Sequence, residues 1–329
     1  MKTFLKVIGI VLLGIVALAA IGVSYLALRK PAQRPASAEK IEATPERLAR
    51  GEYLAEHVSL CVDCHSEHST AYAIPIKRDR LGVGGFVWDK QIGFPGVVTA
   101  SNLTPDPDTG LGNWTDGEIL RAIREGVDRD GNALFPIMPY DNFRSMSDDD
   151  AKAIVVYLRT IKPQKWQEPA KKLDVPLNFV EKFVPKPLDA PVTAPDRSDH
   201  LNYGKYLTQI SACVVCHTPK DDKDQPIPGK EFSGGWVMKT PWFRVVTANI
   251  TPHPSTFMGR ATKEEFIARF RAFANFTEEN APPAPKGRNT VMPWIEFSGM
   301  TDGDLGAIYD YLKTVPAIDN KVDPFPDAR

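Results

Sequence analysis

Two short segments of the chain carry residues that could do chemistry. Residues 61–65 read C-V-D-C-H and residues 213–217 read C-V-V-C-H. This C-x-x-C-H spacing is the attachment signature of a c-type haem, in which each cysteine forms a thioether and the histidine becomes the proximal iron ligand. The chain has four cysteines, and these segments use all of them. The sequence therefore predicts two covalently bound haem c groups, attached at Cys61, Cys64, Cys213 and Cys216, with His65 and His217 as iron ligands.

Two other kinds of site use paired cysteines. A C-x-x-C pair also occurs in zinc knuckles and in redox dithiols. Zinc sites built from two such pairs usually have roughly 15–20 residues between them, whereas these pairs lie in different halves of the chain. The histidine directly after both pairs favours haem over zinc.

A haem iron with six ligands needs a second axial residue, and each half offers a methionine. Met138 and Met292 both precede a proline, 73 and 75 residues after their respective haem histidines. Methionine is often core filler, but a thioether sulfur is also a ligand that raises the haem reduction potential. Because the Met-Pro pair is duplicated, we predict the axial pairs His65/Met138 and His217/Met292. Four histidines without a counterpart in the other half are interpreted as surface or capping residues: His57, His68, His200 and His253.

The sequence around the two motifs is duplicated as well. Residues 51–54 (G-E-Y-L) precede the first motif, and residues 204–207 (G-K-Y-L) precede the second. After each motif come a G-G-[FW]-V segment and a V-V-T-A segment. A single duplication with a period of about 150 residues indicates two homologous domains rather than a solenoid.

The predicted helix starts follow the same duplication. T-x-x-E at Thr115 and Thr262 has the pattern of a capping box, and S/T-x-x-D at Ser147 and Thr301 is interpreted in the same way. Apolar residues at helical spacing follow each of these starts. A further helix is predicted to begin at Thr44-Pro45, because threonine is a good N-cap and proline is favoured at the first helical position. Both domains are therefore expected to be mainly α.

At the N-terminus, Val7 to Leu28 is an uncharged apolar run of 22 residues, long enough to cross a bilayer core of roughly 30 Å. A cleaved signal peptide would have a shorter apolar region of roughly 7–15 residues, although residues 17–19 and 36–38 fit the small-residue cleavage pattern. We expect a retained anchor. Basic residues flank the run on both sides, so its orientation is inferred from haem attachment, which takes place in the periplasm-like compartment.

Composition divides the chain into segments. Residues 163–198 are too rich in proline for a continuous helix or sheet, and we expect one short helical turn near residues 178–183. This connector either wraps one domain or separates the two. The expected segments are 1–30 (cytoplasmic tip and transmembrane anchor), 31–43 (tether), 44–162 (first domain), 163–198 (connector), 199–316 (second domain) and 317–329 (C-terminal tail).

With these features in place, the chain resembles a membrane-anchored dihaem cytochrome c built from two class I cytochrome c domains. The V-V-T-A segment with its following N-[LI]-T-P, the T-x-x-E helix and the M-P-[YW] loop are similar to the cytochrome c subunits of bacterial membrane-bound alcohol and aldehyde dehydrogenases. The resemblance covers residues 44–316 apart from the connector. It implies a mainly α fold of two tandem class I domains with an N-terminal transmembrane helix. Those subunits commonly carry three haems, whereas this chain has motifs for two.

The predicted ligands and the resemblance imply an electron-transfer protein rather than an enzyme. We expect single electrons to pass from a periplasmic dehydrogenase or a quinol-oxidising complex to a soluble cytochrome or a terminal oxidase, at the periplasmic side of the bacterial cytoplasmic (inner) membrane. The main alternative is a dihaem peroxidase or oxidase in which one haem loses its sixth ligand, and a haem-based sensor or structural subunit is a third. The net charge of −1 provides no global field for nucleic acid.

Overall fold

The computed structural model describes residues 1–240 and 242–326, and it is rich in helix. We call residues 44–162 the first repeat and residues 199–316 the second repeat. The N-terminal helix is α1 (Lys2–Leu28). The first repeat contains α2 (Pro45–Tyr53), α3 (Cys61–Cys64), β1 (Val87–Trp88), β2 (Gly96–Thr99), α4 (Asp116–Glu125), α5 (Tyr140–Phe143) and α6 (Asp148–Leu158). The connector contains β3 (Lys172–Leu173) and α7 (Leu177–Val180), and the second repeat contains α8 (His200–Ile210), α9 (Cys213–His217), β4 (Val237–Lys239), β5 (Arg244–Val246), α10 (Phe257–Arg260), α11 (Lys263–Arg271), α12 (Trp294–Phe297) and α13 (Asp302–Leu312).

Helix α1 covers the predicted apolar run and is exposed along its length. It has 27 residues and is long and apolar enough to cross a membrane. These properties are compatible with the predicted membrane anchor.

In each repeat, the first and last helices cross at a glycine. Gly51 in α2 lies against α6, and Gly204 in α8 lies against α13. A Cβ atom at Gly51 would lie 1.9 Å from the carbonyl oxygen of Ala153, and one at Gly204 would lie 1.9 Å from that of Ala307. Both distances are far below van der Waals contact, so only glycine allows the helix backbones to approach this closely. The close crossing of the first and last helices therefore requires the glycine of the duplicated G-x-Y-L segment.

The capping boxes predicted for α4 and α11 are confirmed. The Thr115 hydroxyl accepts a hydrogen bond from the backbone N–H of Glu118, whose carboxylate accepts one from the Thr115 N–H. Thr262 and Glu265 make the same two bonds. Each box satisfies two backbone N–H groups that a helix start leaves without partners.

At α6 and α13 only half of the predicted capping box forms. Ser147 and Thr301 accept hydrogen bonds from the backbone N–H groups of Asp150 and Asp304. In the part of the chain that the structure describes, neither aspartate returns a bond to its N-cap residue. The prediction of a full box is wrong here, because an aspartate side chain is one methylene shorter than a glutamate and these carboxylates bond to the other repeat.

The first repeat accommodates one extra residue ahead of its haem motif. The first motif cysteine stands ten positions after Gly51, whereas in the second repeat it stands nine positions after Gly204. Helix α2 continues as a π-helical turn over Leu54–Val58, while α8 runs on as an α-helix. A π-turn inserts one residue into a helix. Both motifs therefore begin at equivalent points despite the different spacing.

The connector wraps the first repeat. Strand β3 pairs antiparallel with β2, which pairs with β1, in a three-stranded sheet. Further along, the Val192 carbonyl accepts a 2.9 Å hydrogen bond from the backbone N–H of Asp148. The predicted short helical turn is confirmed as α7 with a 3-10 turn at Glu181–Phe183. The sequence left open whether the connector wraps one domain or separates the two, and these contacts show that it wraps the first repeat.

Residues 31–43, all of which the structure describes, have neither helix nor strand but lie along α4. The backbone N–H of Ile41 donates to the Asp116 carboxylate at 3.0 Å, and the Ile41 side chain is buried. The Ser37 carbonyl oxygen is so close that a Cβ atom on Gly117 would lie 2.0 Å from it. The segment predicted as a tether is thus held against the first repeat.

The two repeats are in direct contact. A loop of the first repeat lies against a loop of the second, where the Tyr72 N–H donates to the Pro282 carbonyl at 2.9 Å. The Asn289 side chain accepts from the Ala73 N–H at 3.0 Å and donates to the Ala71 carbonyl at 3.1 Å. Backbone groups of both repeats are therefore satisfied across the interface.

Candidate haem centres

Both C-x-x-C-H segments fold as a short helical turn entered through an unusual backbone conformation. Leu60, before α3, has φ 54°, and Ala212, before α9, has φ 52°. This left-handed region costs a non-glycine residue roughly 1–2 kcal/mol, so its presence in both repeats marks a shared geometric requirement. The turn places the two cysteines of each motif on one face. None of the four is in a disulfide; Cys61 is buried, Cys213 and Cys216 are partly buried and Cys64 is exposed.

The histidine of each motif is held by the same kind of hydrogen bond. Nδ1 of His65 lies 2.7 Å from the carbonyl oxygen of Ser101, and Nδ1 of His217 lies 2.7 Å from that of Ala248. Because a carbonyl can only accept, Nδ1 carries the proton and Nε2 keeps the lone pair that a metal needs. Burial lowers the pKa of both imidazoles, which favours the neutral form that binds metal. These side chains therefore fit a haem iron bound through Nε2.

The loops that supply these carbonyls were not singled out from the sequence as part of the site. The signal was present, because each acceptor residue directly precedes the asparagine of the duplicated segment, Asn102 or Asn249. The Oδ1 atom of each asparagine accepts a 2.9 Å hydrogen bond from the backbone N–H two residues on. Each Nδ2 group donates at 2.8 Å to a carbonyl beyond the last helix of its repeat, Gln164 or Ile318. The asparagines thus hold the turn that positions the histidine acceptor.

Met138 and Met292 begin the same tight turn in the two repeats. The Tyr140 N–H donates to the Met138 carbonyl at 2.8 Å, and the Trp294 N–H donates to the Met292 carbonyl at 2.8 Å. The prolines between them have φ −80°, ψ 49° and φ −77°, ψ 67°, close to an inverse γ-turn with φ about −75° and ψ about +65°. Both methionines are partly buried against the core. Their ligation to the irons of His65 and His217 remains a prediction.

The two motifs interact electrostatically across the interface between the repeats. Burial raises the pKa of the Cys216 thiol to about 11, Lys220 opposes this rise, and the Asp63 carboxylate of the first motif adds to it. The Coulomb interaction falls with distance and acts between neighbouring groups. The Asp63 carboxylate of one motif therefore acts electrostatically on the Cys216 thiol of the other.

Glu296 is a buried carboxyl group at this interface that the sequence did not reveal. It is 6% exposed, and desolvation raises its pKa to about 8, with the nearby Asp63 carboxylate adding to the rise. Its own backbone carbonyl accepts a 2.8 Å hydrogen bond from Nδ1 of His57 in the π-turn of the first repeat. Glu296 is the residue before the last in α12, so His57 caps the C-terminal end of that helix, and the capping interpretation of His57 holds.

The other three histidines that have no counterpart in the opposite repeat differ in their surroundings. The side chain of His68 is buried rather than on the surface, and its Nε2 lies 3.2 Å from an Asp63 carboxylate oxygen. His200 is exposed, and His253 bonds to the Ser255 hydroxyl at 2.7 Å within a turn. The surface or capping interpretation holds for these last two.

Within residues 1–240 and 242–326, no three His, Cys, Asp or Glu side chains are placed so that they could hold a metal ion. A structural zinc site needs four ligands around one point. The two C-x-x-C pairs do not form such a site, so the zinc interpretation lacks support.

No protein-family model matches the chain. It is 28% identical over 298 residues to the cytochrome c subunit of an alcohol dehydrogenase (quinone) from Gluconacetobacter polyoxogenes, covering 86% of this chain and 59% of the relative. It is 26% identical over 293 residues to the cytochrome subunit of fructose dehydrogenase from Gluconobacter japonicus, covering 85% and 56%. It is also 26% identical over 231 residues to a dihaem c-type cytochrome from Cereibacter sphaeroides, covering 68% and 73%. The chain thus spans little more than half the length of the two dehydrogenase subunits.

These relatives support an electron-transfer cytochrome function with covalently bound haem c. Within that class, the similarity to the cytochrome c subunits of bacterial dehydrogenases, predicted from the sequence, is confirmed.

Proposed function

We propose that the chain is a membrane-tethered dihaem c-type cytochrome that transfers single electrons. Residues 44–162 and 199–316 are two class I cytochrome c domains, each with one haem. The first haem is attached at Cys61 and Cys64, with His65 and Met138 as axial ligands. The second is attached at Cys213 and Cys216, with His217 and Met292 as axial ligands.

The observation that carries this proposal is the identical support of the two motif histidines. His65 and His217 follow C-x-x-C in equivalent helical turns and bond through Nδ1 to carbonyls of equivalent loops at the same 2.7 Å. An interaction of this kind fixes the ring and its tautomer for a metal at Nε2. The same support in both repeats favours two equivalent haem centres over one electron-transfer centre and one catalytic centre.

A haem iron with two protein axial ligands exchanges single electrons and offers no open position for oxygen, peroxide or substrate. The chain's own residues would then fix the distance between the centres and exclude water from them. The direct hydrogen bonds between the two repeats support an arrangement in which the two haems exchange electrons directly.

The electron donor we propose is a periplasmic dehydrogenase or a quinol-oxidising complex, and the acceptor is a soluble cytochrome or a terminal oxidase. The names of the relatives support a dehydrogenase donor, since two of them are subunits of alcohol and fructose dehydrogenases. Helix α1 would anchor the chain in the bacterial cytoplasmic membrane, with both haem domains on the periplasmic side. Its length and apolar character support this placement.

An optical redox titration of the full-length protein, with carbon monoxide added to the reduced form, tests the proposal. Two positive potentials, the weak far-red band of methionine-ligated ferric haem and no carbon monoxide binding are expected. The single replacements Met138→Ala and Met292→Ala should each remove about half of the band, since the band would come in equal parts from two methionine-ligated haems. Met238→Ala is the matched control, because Met238 has no counterpart in the first repeat.

A parent protein in which one haem binds carbon monoxide or lacks the far-red band would overturn the electron-transfer proposal. The dihaem peroxidase or oxidase alternative, which needs one open iron, would then be favoured.

A further inference from the structure

The short helical part of the connector lies against the C-terminal end of α1. The Lys182 ammonium donates hydrogen bonds to the carbonyl oxygens of Leu26 and Ala27, at 3.1 and 2.7 Å. The last carbonyls of a helix have no partner within the helix, so Lys182 caps α1 from a distant part of the chain. The Arg29 guanidinium also lies over the Phe183 ring, 4.3 Å from its centroid. Hydrogen bonds and a cation–π contact thus hold the C-terminal end of α1 against the connector.

This contact fixes the depth of the connector relative to a membrane. The apolar run of α1 ends at Leu28 and is followed by Arg29 and Lys30. In a spanning helix, such basic residues lie at the level of the lipid headgroups. Lys182, bonded one and two residues inside that end, then lies at the boundary between headgroups and hydrocarbon.

At this level the connector exposes apolar side chains. Val175 is 74% exposed, Val180 49% and Phe183 50%. Lys182 stands between Val180 and Phe183 in the sequence, and Lys186 follows three residues after Phe183. Exposed apolar side chains interspersed with lysines are typical of segments that rest in the interface of an anionic bilayer.

The segment is also held rigidly to the first repeat. The Glu181 carboxylate is buried and accepts from the Lys171 ammonium at 2.8 Å, and the same ammonium donates to the Ala133 carbonyl of the first repeat at 2.7 Å. The Asp174 N–H donates to the Pro95 carbonyl at 3.1 Å, and β3 extends the sheet of the first repeat. A surface fixed in this way can set the orientation of the domain that carries it.

We propose that residues 175–186 form a second membrane contact, here called the platform, which rests on the anionic phospholipid surface beside α1. The platform holds the first repeat against the bilayer in a fixed orientation, and the second repeat follows through its contacts with the first repeat. This inference rests on the proposed anchoring by α1 and adds a lipid-binding surface in the connector.

Photo-crosslinking of the full-length, haem-loaded protein in vesicles of phosphatidylglycerol and phosphatidylethanolamine tests the platform. The photoreactive amino acid p-benzoylphenylalanine replaces Val180 in one variant and Phe183 in a second, and intact-protein mass spectrometry detects phospholipid adducts. The same amino acid at Leu18, in the middle of α1, reports on the anchor itself. The matched control is Leu201 in α8, which is 49% exposed, like Val180.

Phospholipid adducts at positions 180 and 183, at a yield comparable with position 18 and without adduct at position 201, are the expected result. Adduct at position 18 alone would overturn the platform while leaving the anchor in place. No adduct at any position would overturn the anchoring on which the inference rests. Equal adduct at positions 180 and 201, or crosslinks from position 180 to a second protein chain, would also overturn the platform.

Discussion

Tyr206 of the second repeat donates its phenol hydrogen bond to the Asp150 carboxylate of the first repeat, with 2.6 Å between the oxygens. The equivalent tyrosine of the first repeat, Tyr53, donates to the equivalent aspartate of the second, Asp304, at 2.7 Å. Each phenol oxygen also accepts a 3.1 Å hydrogen bond from the backbone N–H of the N-cap residue of the helix that carries the aspartate, Ser147 for Tyr206 and Thr301 for Tyr53. Equivalent surfaces therefore contact each other reciprocally, as in an isologous dimer interface.

Tyr206→Phe should destabilise the protein more than Tyr53→Phe. Tyr206 and Asp150 are 6% and 7% exposed, whereas Asp304 is partly exposed. Without the Tyr206 hydroxyl, Asp150 is still bonded to the Arg50 guanidinium, but the buried Ser147 N–H loses its acceptor. Leaving such a buried group unsatisfied costs about 1–3 kcal/mol, whereas water can replace the lost donor at Asp304. Thermal unfolding of both variants in the same detergent measures the difference. Equal losses would contradict an asymmetric interface.

Gly51→Ala should destabilise the protein although alanine is the better helix former. The substitution would normally favour the helix by about 1 kcal/mol, but here the new methyl group would lie 1.9 Å from the Ala153 carbonyl oxygen. Relieving such an overlap typically costs about 1–3 kcal/mol. Denaturant unfolding measures the net effect.

The matched control for this prediction is Gly303→Ala in α13. A Cβ atom there has ordinary contact only, with the Thr301 hydroxyl at 3.8 Å, so this variant should be neutral or stabilised. Destabilisation of both variants to the same extent would show that the close crossing is not the cause.

Asn102→Ala should raise the reduction potential of one haem, and Asn249→Ala that of the other. Each asparagine holds the turn whose carbonyl accepts from the ring of His65 or His217. Weakening that hydrogen bond makes the imidazole a poorer electron donor to iron, which disfavours the ferric state. The loss of buried hydrogen bonds should also cost about 1–3 kcal/mol of stability.

A redox titration of both asparagine variants, with the haems resolved, checks this assignment. Equal shifts of both haems in either variant, or a fall in potential, would be inconsistent with separate support of the two histidines.

Glu296→Gln should stabilise the protein increasingly as the pH rises from about 5 to about 8. The pKa of Glu296 is raised from its ordinary value of 4.5 to about 8, first by desolvation and then by Asp63. The folded protein therefore binds this proton more tightly than the unfolded chain does, and the resulting stability is lost as the pH rises through about 8. Because glutamine does not ionise, the variant should gain at least about 1 kcal/mol over the parent across this range, the equivalent of one pKa unit.

Unfolding at several pH values measures this gain, and Glu264→Gln serves as the control. The Glu264 carboxyl group is fully exposed, and hydrogen bonds to its own backbone and to Thr262 lower its pKa. A gain with rising pH in the control, or no gain in Glu296→Gln, would exclude desolvation of Glu296 as the cause.

The sequence alone determined the features that depend on local spacing. The two C-x-x-C-H segments, the duplicated helix starts at Thr115 and Thr262 and the apolar helix α1 could all be identified because such signals act within a few residues of one another. The resemblance to dehydrogenase cytochrome subunits likewise came from short segments, and the comparisons confirm it. The duplicated V-V-T-A segment was visible too, but its role was not, because the histidines lie 36 and 31 residues away in the sequence from the carbonyls that support them.

Only the tertiary structure decided which groups meet across long separations. The sequence did not show that the connector wraps the first repeat or that the π-turn brings His57 to the Glu296 carbonyl. It also misassigned the aspartates of α6 and α13 to capping boxes. Asp150 and Asp304 instead accept from tyrosines of the opposite repeat. A carboxylate too short to reach back to its own N-cap bonds to whichever donor the packing of the two repeats brings near it, and a local sequence pattern does not contain that packing.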